Sequence, residues 1–193
     1  MDRLGTKELE SARLFLRRFT IEDAPAMYAN WAADADVTKY LMWPAHQSVK
    51  DSETIICNWV NRYDTEDCFY QWAIVLKENE GELVGSIGVV QKNVAVELAD
   101  IGYCIGQKWW NRGIASEALT MVIDYLFSTG RFNRIQARHD QRNPHSGQVM
   151  KKCGMRYEGT LREADYNNQG LCDTAIYAIL AKDFYAASRE YND

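Results

Sequence analysis

Arg13 to Arg18 (RLFLRR) alternates apolar and charged side chains, the period of two expected of a strand with one buried face. From Ile21 to Trp43 the apolar positions recur at helical spacing and include several aromatic rings. Ser48 to Arg62 predicts a second helix, with Ser48 as its cap and Val49, Ile55, Ile56, Trp59 and Val60 as its apolar face. Two β-branched and aromatic runs, Phe69 to Leu76 and Leu83 to Val90, flank the polar stretch Lys77 to Glu82 with its Gly81, which predicts a hairpin. A third run, Leu98 to Ile105, follows Asn93, so three adjacent antiparallel strands are expected. The clearest helical period comes next: Ile114, Ala118, Val122, Ile123 and Leu126 share one face, and Gly130 stands where a C-cap belongs. Arg134 to Arg138 reads as a short strand, Ser146 to Cys153 as a short helix closed by Gly154, and Met155 to Glu158 as a strand running on toward Leu161. Asn167-Asn168-Gln169-Gly170 turns the chain into a last strand, Thr174 to Ala181. The order β-αα-βββ-α-β-α-ββ predicts an α+β domain, a mixed sheet flanked by helices.

Neither a repeat nor a Pro/Gly/Ser linker divides the 193 residues, so residues 1–193 are expected to fold as one domain. A chain of that length buries roughly 70% of its unfolded surface, and it needs no disulfide or metal to do so. Cys57, Cys68, Cys104, Cys153 and Cys172 are odd in number and widely spaced, which predicts free thiols rather than a zinc or redox site. His46, His139 and His145 are isolated from one another, so no metal is expected either. A net charge of −5 argues against general nucleic-acid binding, which requires clustered cations; it suits a cationic partner such as an amine. The absence of a long apolar run and the polar start from Met1 to Glu10 predict a cytoplasmic protein without a membrane anchor. Among the rings, Trp31, Tyr40, Trp43 and Trp72 are candidates to line a pocket, with core filling as the alternative.

The segment that points to chemistry is Trp110-Asn111-Arg112-Gly113-Ile114-Ala115-Ser116-Glu117-Ala118, between a strand and the best-defined helix. A helix N-terminus carries unpaired N–H groups and the positive end of the helix dipole, a combination that receives phosphate groups. Gly113 allows close backbone approach, and the small Ala115 and Ser116 leave the first turn uncovered. An ordinary capped helix start explains the same residues. Read alone, this segment leaves both accounts open.

Its surroundings decide between them by resemblance. Trp110 to Ala115 resembles the acyl-CoA pyrophosphate loop of the GNAT superfamily, Gln/Arg-x-x-Gly-x-Gly/Ala, with Trp at the first position and Asn111 where Gly is common. That Trp, followed by Ala115-Ser116-Glu117-Ala118, is similar to the RimJ/RimL branch of ribosomal-protein N-acetyltransferases. Ala99-Asp100-Ile101-Gly102-Tyr103-Cys104-Ile105 is similar to the family's Ala-Glu-Ile-Gly-Tyr strand, and Asn143-Pro144-His145-Ser146 with Lys152-Cys153-Gly154-Met155 to its Asn-x-x-Ser…Lys-x-Gly-Phe run. Asp173 to Leu180 is similar to the closing strand, so the likeness spans roughly residues 11 to 184.

The resemblance implies a GNAT-like, mostly antiparallel central sheet and acetyl-CoA as co-substrate, with no metal. It assigns coenzyme contacts to Cys104, Ile105, Trp110, Asn111, Arg112, Gly113, Ile114, Ala115, Ser116 and Asn143, and makes Ser146 a coenzyme contact or the acid that protonates the leaving thiolate. Two carboxylates compete as general base: Asp100, in the central strand, and Asp165, in the Arg162 to Tyr166 segment, with Asp165 slightly preferred. It further implies a primary-amine acceptor, a ribosomal-protein N-terminus above others. Small amines and a non-catalytic coenzyme-binding role remain as alternatives, and a homodimer is an open option.

Overall fold

The computed structural model describes residues 5–78 and 81–190, so positions 79–80 of the expected hairpin turn lie outside the described residues. The chain begins with strands β1 (Leu9–Glu10) and β2 (Leu14–Arg17). Three helices follow: α1 (Ala24–Met27), α2 (Ala35–Thr38) and α3 (Val49–Thr65). Strands β3 (Gln71–Leu76), β4 (Glu82–Asn93) and β5 (Leu98–Ile105) lead to helix α4 (Ile114–Ser128). The last third alternates β6 (Arg134–Asp140), α5 (Pro144–Lys152), β7 (Arg156–Asn167), β8 (Gly170–Leu180) and α6 (Ala181–Glu190).

All eight strands form one sheet in the order β1-β2-β3-β4-β5-β6-β8-β7. Every neighbouring pair is antiparallel except β5 and β6. That makes the expected α+β class and mostly antiparallel sheet correct. Successive strand residues face opposite sides, and each side has its own core. One buries Ile101, Ile105, Ile135 and Ala137 under Ile114, Ala118, Val122 and Leu126 of α4, with Met150 of α5. The other covers Ala73, Val75, Leu83 and Cys104 with Met27, Trp31 and Ile56 from the early helices. Trp31 and Trp72 are core residues, at 1% and 0% exposure, and not pocket walls.

Where the pattern misled, a local polar group explains it. The expected helix over 21–43 is broken into a 3₁₀ turn (Ile21–Asp23), α1, a π turn (Tyr28–Ala32) and α2. Pro25 fits only the start of a helix, and Asp34 Oδ1 accepts from the N–H groups of Asp36 at 2.8 Å and Val37 at 3.4 Å, restarting the helix there. Ile55 is 39% exposed, because α3 turns Ser52, Ile56 and Tyr63 inward instead. Helix α5 starts at Pro144 rather than Ser146, since proline suits the first helical position. Strand β1 and helix α6 had no expected counterpart. None of the helices among the described residues is long and apolar enough to cross a membrane.

Candidate active site

Strands β5 and β6 pair over only three residues, Leu98 with Arg134, Ala99 with Ile135 and Asp100 with Gln136. Beyond Asp100 they part, while β5 stays paired to β4 as far as Ile105. The N–H of Gly106 donates to Val84 O at 2.9 Å, so by strand alternation Ile105 and Tyr103 turn their N–H and C=O groups toward the gap. Apart from Ile105 O, which accepts from the Trp110 indole, this edge has no strand partner, and an extended amide chain can add to it. Cys104 faces the other way: its main chain pairs with Ser86 of β4 and its side chain lies in the core around Trp31. Burial pushes its thiol up to about 12, so it stays protonated and unreactive at neutral pH.

The turn from β5 into α4 forms one end of the gap. Asn111 and Gly113 both adopt the left-handed conformation, at φ 61° and 75°, and Gly113 is the N-cap of α4. Asn tolerates that conformation, so the substitution of Gly by Asn keeps the turn. The first α4 N–H with an intrahelical acceptor is that of Glu117, on Gly113 O at 3.0 Å, which leaves those of Ile114, Ala115 and Ser116 as helix-terminal donors. Ile114 is buried and contributes only this backbone group, whereas Asn111, Arg112 and Gly113 are exposed. Trp110 acts as an anchor: its indole Nε1 donates to Ile105 O at 2.7 Å, tying the loop to the strand edge. Arg13 holds the loop from the far side, with Nη1 donating to Arg112 O at 3.2 Å and Nε donating to Glu117 Oε2 at 2.9 Å. Burial works against ionised Glu117, but the Ser11 hydroxyl and the Arg13 guanidinium outweigh it and hold the carboxyl below its usual range. A phosphate group therefore meets a braced loop with free donors and no side chain on Gly113, a fit for the pyrophosphate of a coenzyme A ester.

On the α5 side of the gap, Tyr103 OH and Ser146 Oγ are 2.9 Å apart, and Tyr103 OH also lies 3.0 Å from Ser146 O. Burial pushes the Tyr103 phenol upward, with the Ser146 hydrogen bond opposing it, so the ring remains a neutral donor. Asn143 stands at the N-cap of α5, and its side chain makes no capping bond.

The opposite face of the sheet carries a chain of charges. Arg134, Gln136 and Arg138 alternate along β6 and so share that face with Asp100. Asp100 is 1% exposed; its Oδ2 accepts from Gln136 Nε2 at 3.0 Å and lies 3.4 Å from Arg138 Nε, while its Oδ1 has no partner. Burial pushes this carboxyl above the usual range, against the pull of Gln136 and Arg138. Arg138 Nη1 also lies 3.4 Å from Asp165 Oδ2 on β7. The two rival carboxylates thus meet on one guanidinium. Arg13, Glu117, Tyr103 and Arg138 were not among the sequence-derived site residues, although Tyr103 stood in the strand motif that pointed there.

The acetyltransferase (GNAT) domain family matches residues 13–156. A relative from Bacillus subtilis (strain 168), named uncharacterized N-acetyltransferase YoaA, is 33% identical over 172 residues, covering 89% of this chain and 96% of that protein. The ribosomal-protein-serine acetyltransferase of Escherichia coli (strain K12) is 31% identical over 99 residues, 51% of this chain and 55% of that one. Among solved structures, an acetyltransferase (GNAT family) from Bacillus anthracis superposes with a TM-score of 0.79 at 27% identity, over 91% of this chain and 99% of that one. The parted strands and the braced phosphate loop therefore have their explanation: this chain belongs to the acetyltransferase (GNAT) domain family and is an N-acetyltransferase that draws its acetyl group from acetyl-CoA.

Proposed function

We propose that the acceptor is a protein N-terminal α-amine, of the ribosomal-protein type. The observation that carries this reading is the placement of acid and base: the Tyr103–Ser146 pair and the Asp100–Arg138–Asp165 cluster lie on opposite faces of the sheet, at the place where β5 and β6 part. An amine approaching from the carboxylate face meets a proton acceptor, while the leaving sulfur on the α5 face meets a hydroxyl donor.

Bound acetyl-CoA supplies an activated thioester. The Ile114, Ala115 and Ser116 N–H groups bind its pyrophosphate, and the edge of β5 at Tyr103 and Ile105 aligns its amide arm, with the Asn143 side chain a further partner. The Ser146 hydroxyl hydrogen-bonds the departing sulfur and relays a solvent proton to it, with Tyr103 OH 2.9 Å away holding the hydroxyl in place. Asp165, with a side chain 18% exposed against 1% for Asp100, is the accessible carboxylate and takes the ammonium proton, directly or through water. An α-amine has a pKa near 7.7–8.0 and a lysine near 10.4, a gap of about 3–4 kcal/mol in deprotonation, so a carboxylate base suits the α-amine better.

The 51% overlap with the Escherichia coli ribosomal-protein-serine acetyltransferase supports a protein acceptor. Asn168, at the β7–β8 tip three residues past Asp165, donates Nδ2 to Thr38 O at 2.9 Å and to Trp43 O at 2.8 Å, fixing the 38–43 loop with its half-buried Tyr40 and Trp43 against that tip, and we take these rings as candidates to contact the acceptor. The five free thiols suit a reducing, cytoplasmic setting. Coenzyme thiol release, screened with ribosomal-protein N-terminal peptides against polyamines, amino acids and aminoglycosides, tests the reading. Faster turnover of the peptides supports it; faster turnover of a small amine replaces it with a small-molecule acceptor.

A further inference from the structure

We propose that Arg138 is a positioning residue for the reaction: its guanidinium bridges the buried Asp100 and the more accessible Asp165 and so holds Asp165 toward the amine. The inference rests on Asp165 as proton acceptor and adds how that carboxylate is kept ready. Strand β6 has already left β5 at residue 138, one strand position past the last paired residue on that face, Gln136. Its guanidinium spans the gap, with Nε 3.4 Å from Asp100 Oδ2 and Nη1 3.4 Å from Asp165 Oδ2.

Two carboxylates sharing a partly buried site repel, and without a cation one of them retains a proton. Arg138 is the charge that meets both. The other cation on that face, Arg134, is taken by Glu158 through two hydrogen bonds of 2.8 and 2.6 Å. Gln136 hydrogen-bonds Asp100 but carries no charge. On the far side of Asp165, across the β7–β8 ladder, stand Cys172 and then Asp140, whose charge is matched by Arg142 at 2.6 Å. Engagement by two carboxylates also leaves Arg138 poorly suited to receive an anionic substrate.

The roles separate by pH. In Arg138→Gln the pair loses its counter-charge and titrates as a unit, so the acidic limb of kcat, measured at saturating amine and acetyl-CoA, moves up by about one pH unit or more. At a pH on the shifted limb, turnover falls about tenfold or more relative to the parent, and at high pH it recovers to within a few-fold. Arg138→Lys keeps the charge and leaves the limb near its parental position, with a lower plateau from the lost two-sided geometry. The double variant Asp100→Asn, Arg138→Gln removes one charge of each sign, and its limb returns toward the parent's. A loss of rate that is uniform across pH in Arg138→Gln, or a Lys variant whose limb moves as far as that of Gln, overturns the proposal. Asp165→Asn run beside them tells the failures apart. If it keeps the parental profile, the proton-acceptor reading falls and this proposal with it; if it loses rate while the Arg138→Gln limb stays in place, only the role of Arg138 falls.

Discussion

Replacing Gly113 with valine separates ligand binding from folding. Gly113 sits at φ 75°, and a Cβ there meets nothing closer than Arg13 Nη2 at 3.7 Å, so space is available and backbone strain is the main cost. A β-branched residue in the left-handed region costs about 1–2 kcal/mol, confined to the loop. Relief of that strain rotates the peptide units that aim the α4 N–H groups, and the pyrophosphate loses its donors. In the parent, acetyl-CoA at ~100 times its Kd stabilises the fold by about 2.7 kcal/mol, or roughly 5–11 °C in Tm for a domain of this size. Gly113→Val should unfold a few degrees lower without ligand and show almost none of that increment with it. Gly106 supplies the contrast, because a Cβ there falls 2.3 Å from Asn30 O and 2.6 Å from the Trp109 ring. Gly106→Ala should cost about 1–3 kcal/mol through overpacking yet keep a ligand-induced shift. Thermal unfolding with and without acetyl-CoA reads both variants. A full shift in Gly113→Val would refute the assignment of the loop.

Other substitutions probe the remaining parts. Ser146→Ala should lower kcat by about 10²-fold with little change in the Kd of acetyl-CoA, since a proton donor acts only as charge develops on sulfur; a change in Kd alone would make Ser146 a binding residue. Asp165→Asn should lose more rate at pH 7 than at pH 9, where an α-amine is mostly neutral, and a pH-dependent rescue found instead in Asp100→Asn would exchange the two roles. Asp140 concerns stability: burial opposes its charge, yet Arg142 and Asn167 hold its pKa at about 2, below the model-peptide 3.8. A depressed folded-state pKa adds stability above the unfolded value, so the contribution, about 2 kcal/mol, is present at neutral pH and disappears between about pH 4 and pH 2. Urea unfolding should find Asp140→Asn weaker by about that amount at pH 7 and close to the parent at pH 2; an equal gap at both values would show that the carboxylate charge is not the cause.

Long elements with an unbroken period were legible in the sequence. Strand β5 covers the expected Leu98–Ile105, and α4 begins at the expected Ile114, because each buries a whole apolar face along an unbroken period. The 21–43 region failed for the opposite reason, since Pro25 and Asp34 impose ends that hydrophobic spacing does not reveal. At the site, the phosphate loop was readable because its residues are contiguous. The partnerships were not. Arg13 and Glu117 are 104 positions apart, and Tyr103 and Ser146 are 43 apart, so each pair exists only after the sheet has formed. Arg138 looks in sequence like any solvated strand residue, and only the parting of β5 and β6 gives it two carboxylates. The same topology turned a choice between Asp100 and Asp165 into a shared cluster.

One peptide with two amines tests the choice of acceptor most directly. A ribosomal-protein N-terminal sequence carrying a free α-amine and an internal lysine is incubated with the protein and acetyl-CoA, and the product is sequenced by fragmentation in a mass spectrometer. A single acetyl group on the α-amine is expected, with no turnover when that amine is blocked in advance. Acetylation of the lysine in the blocked peptide, or turnover confined to small amines, would contradict that choice of acceptor.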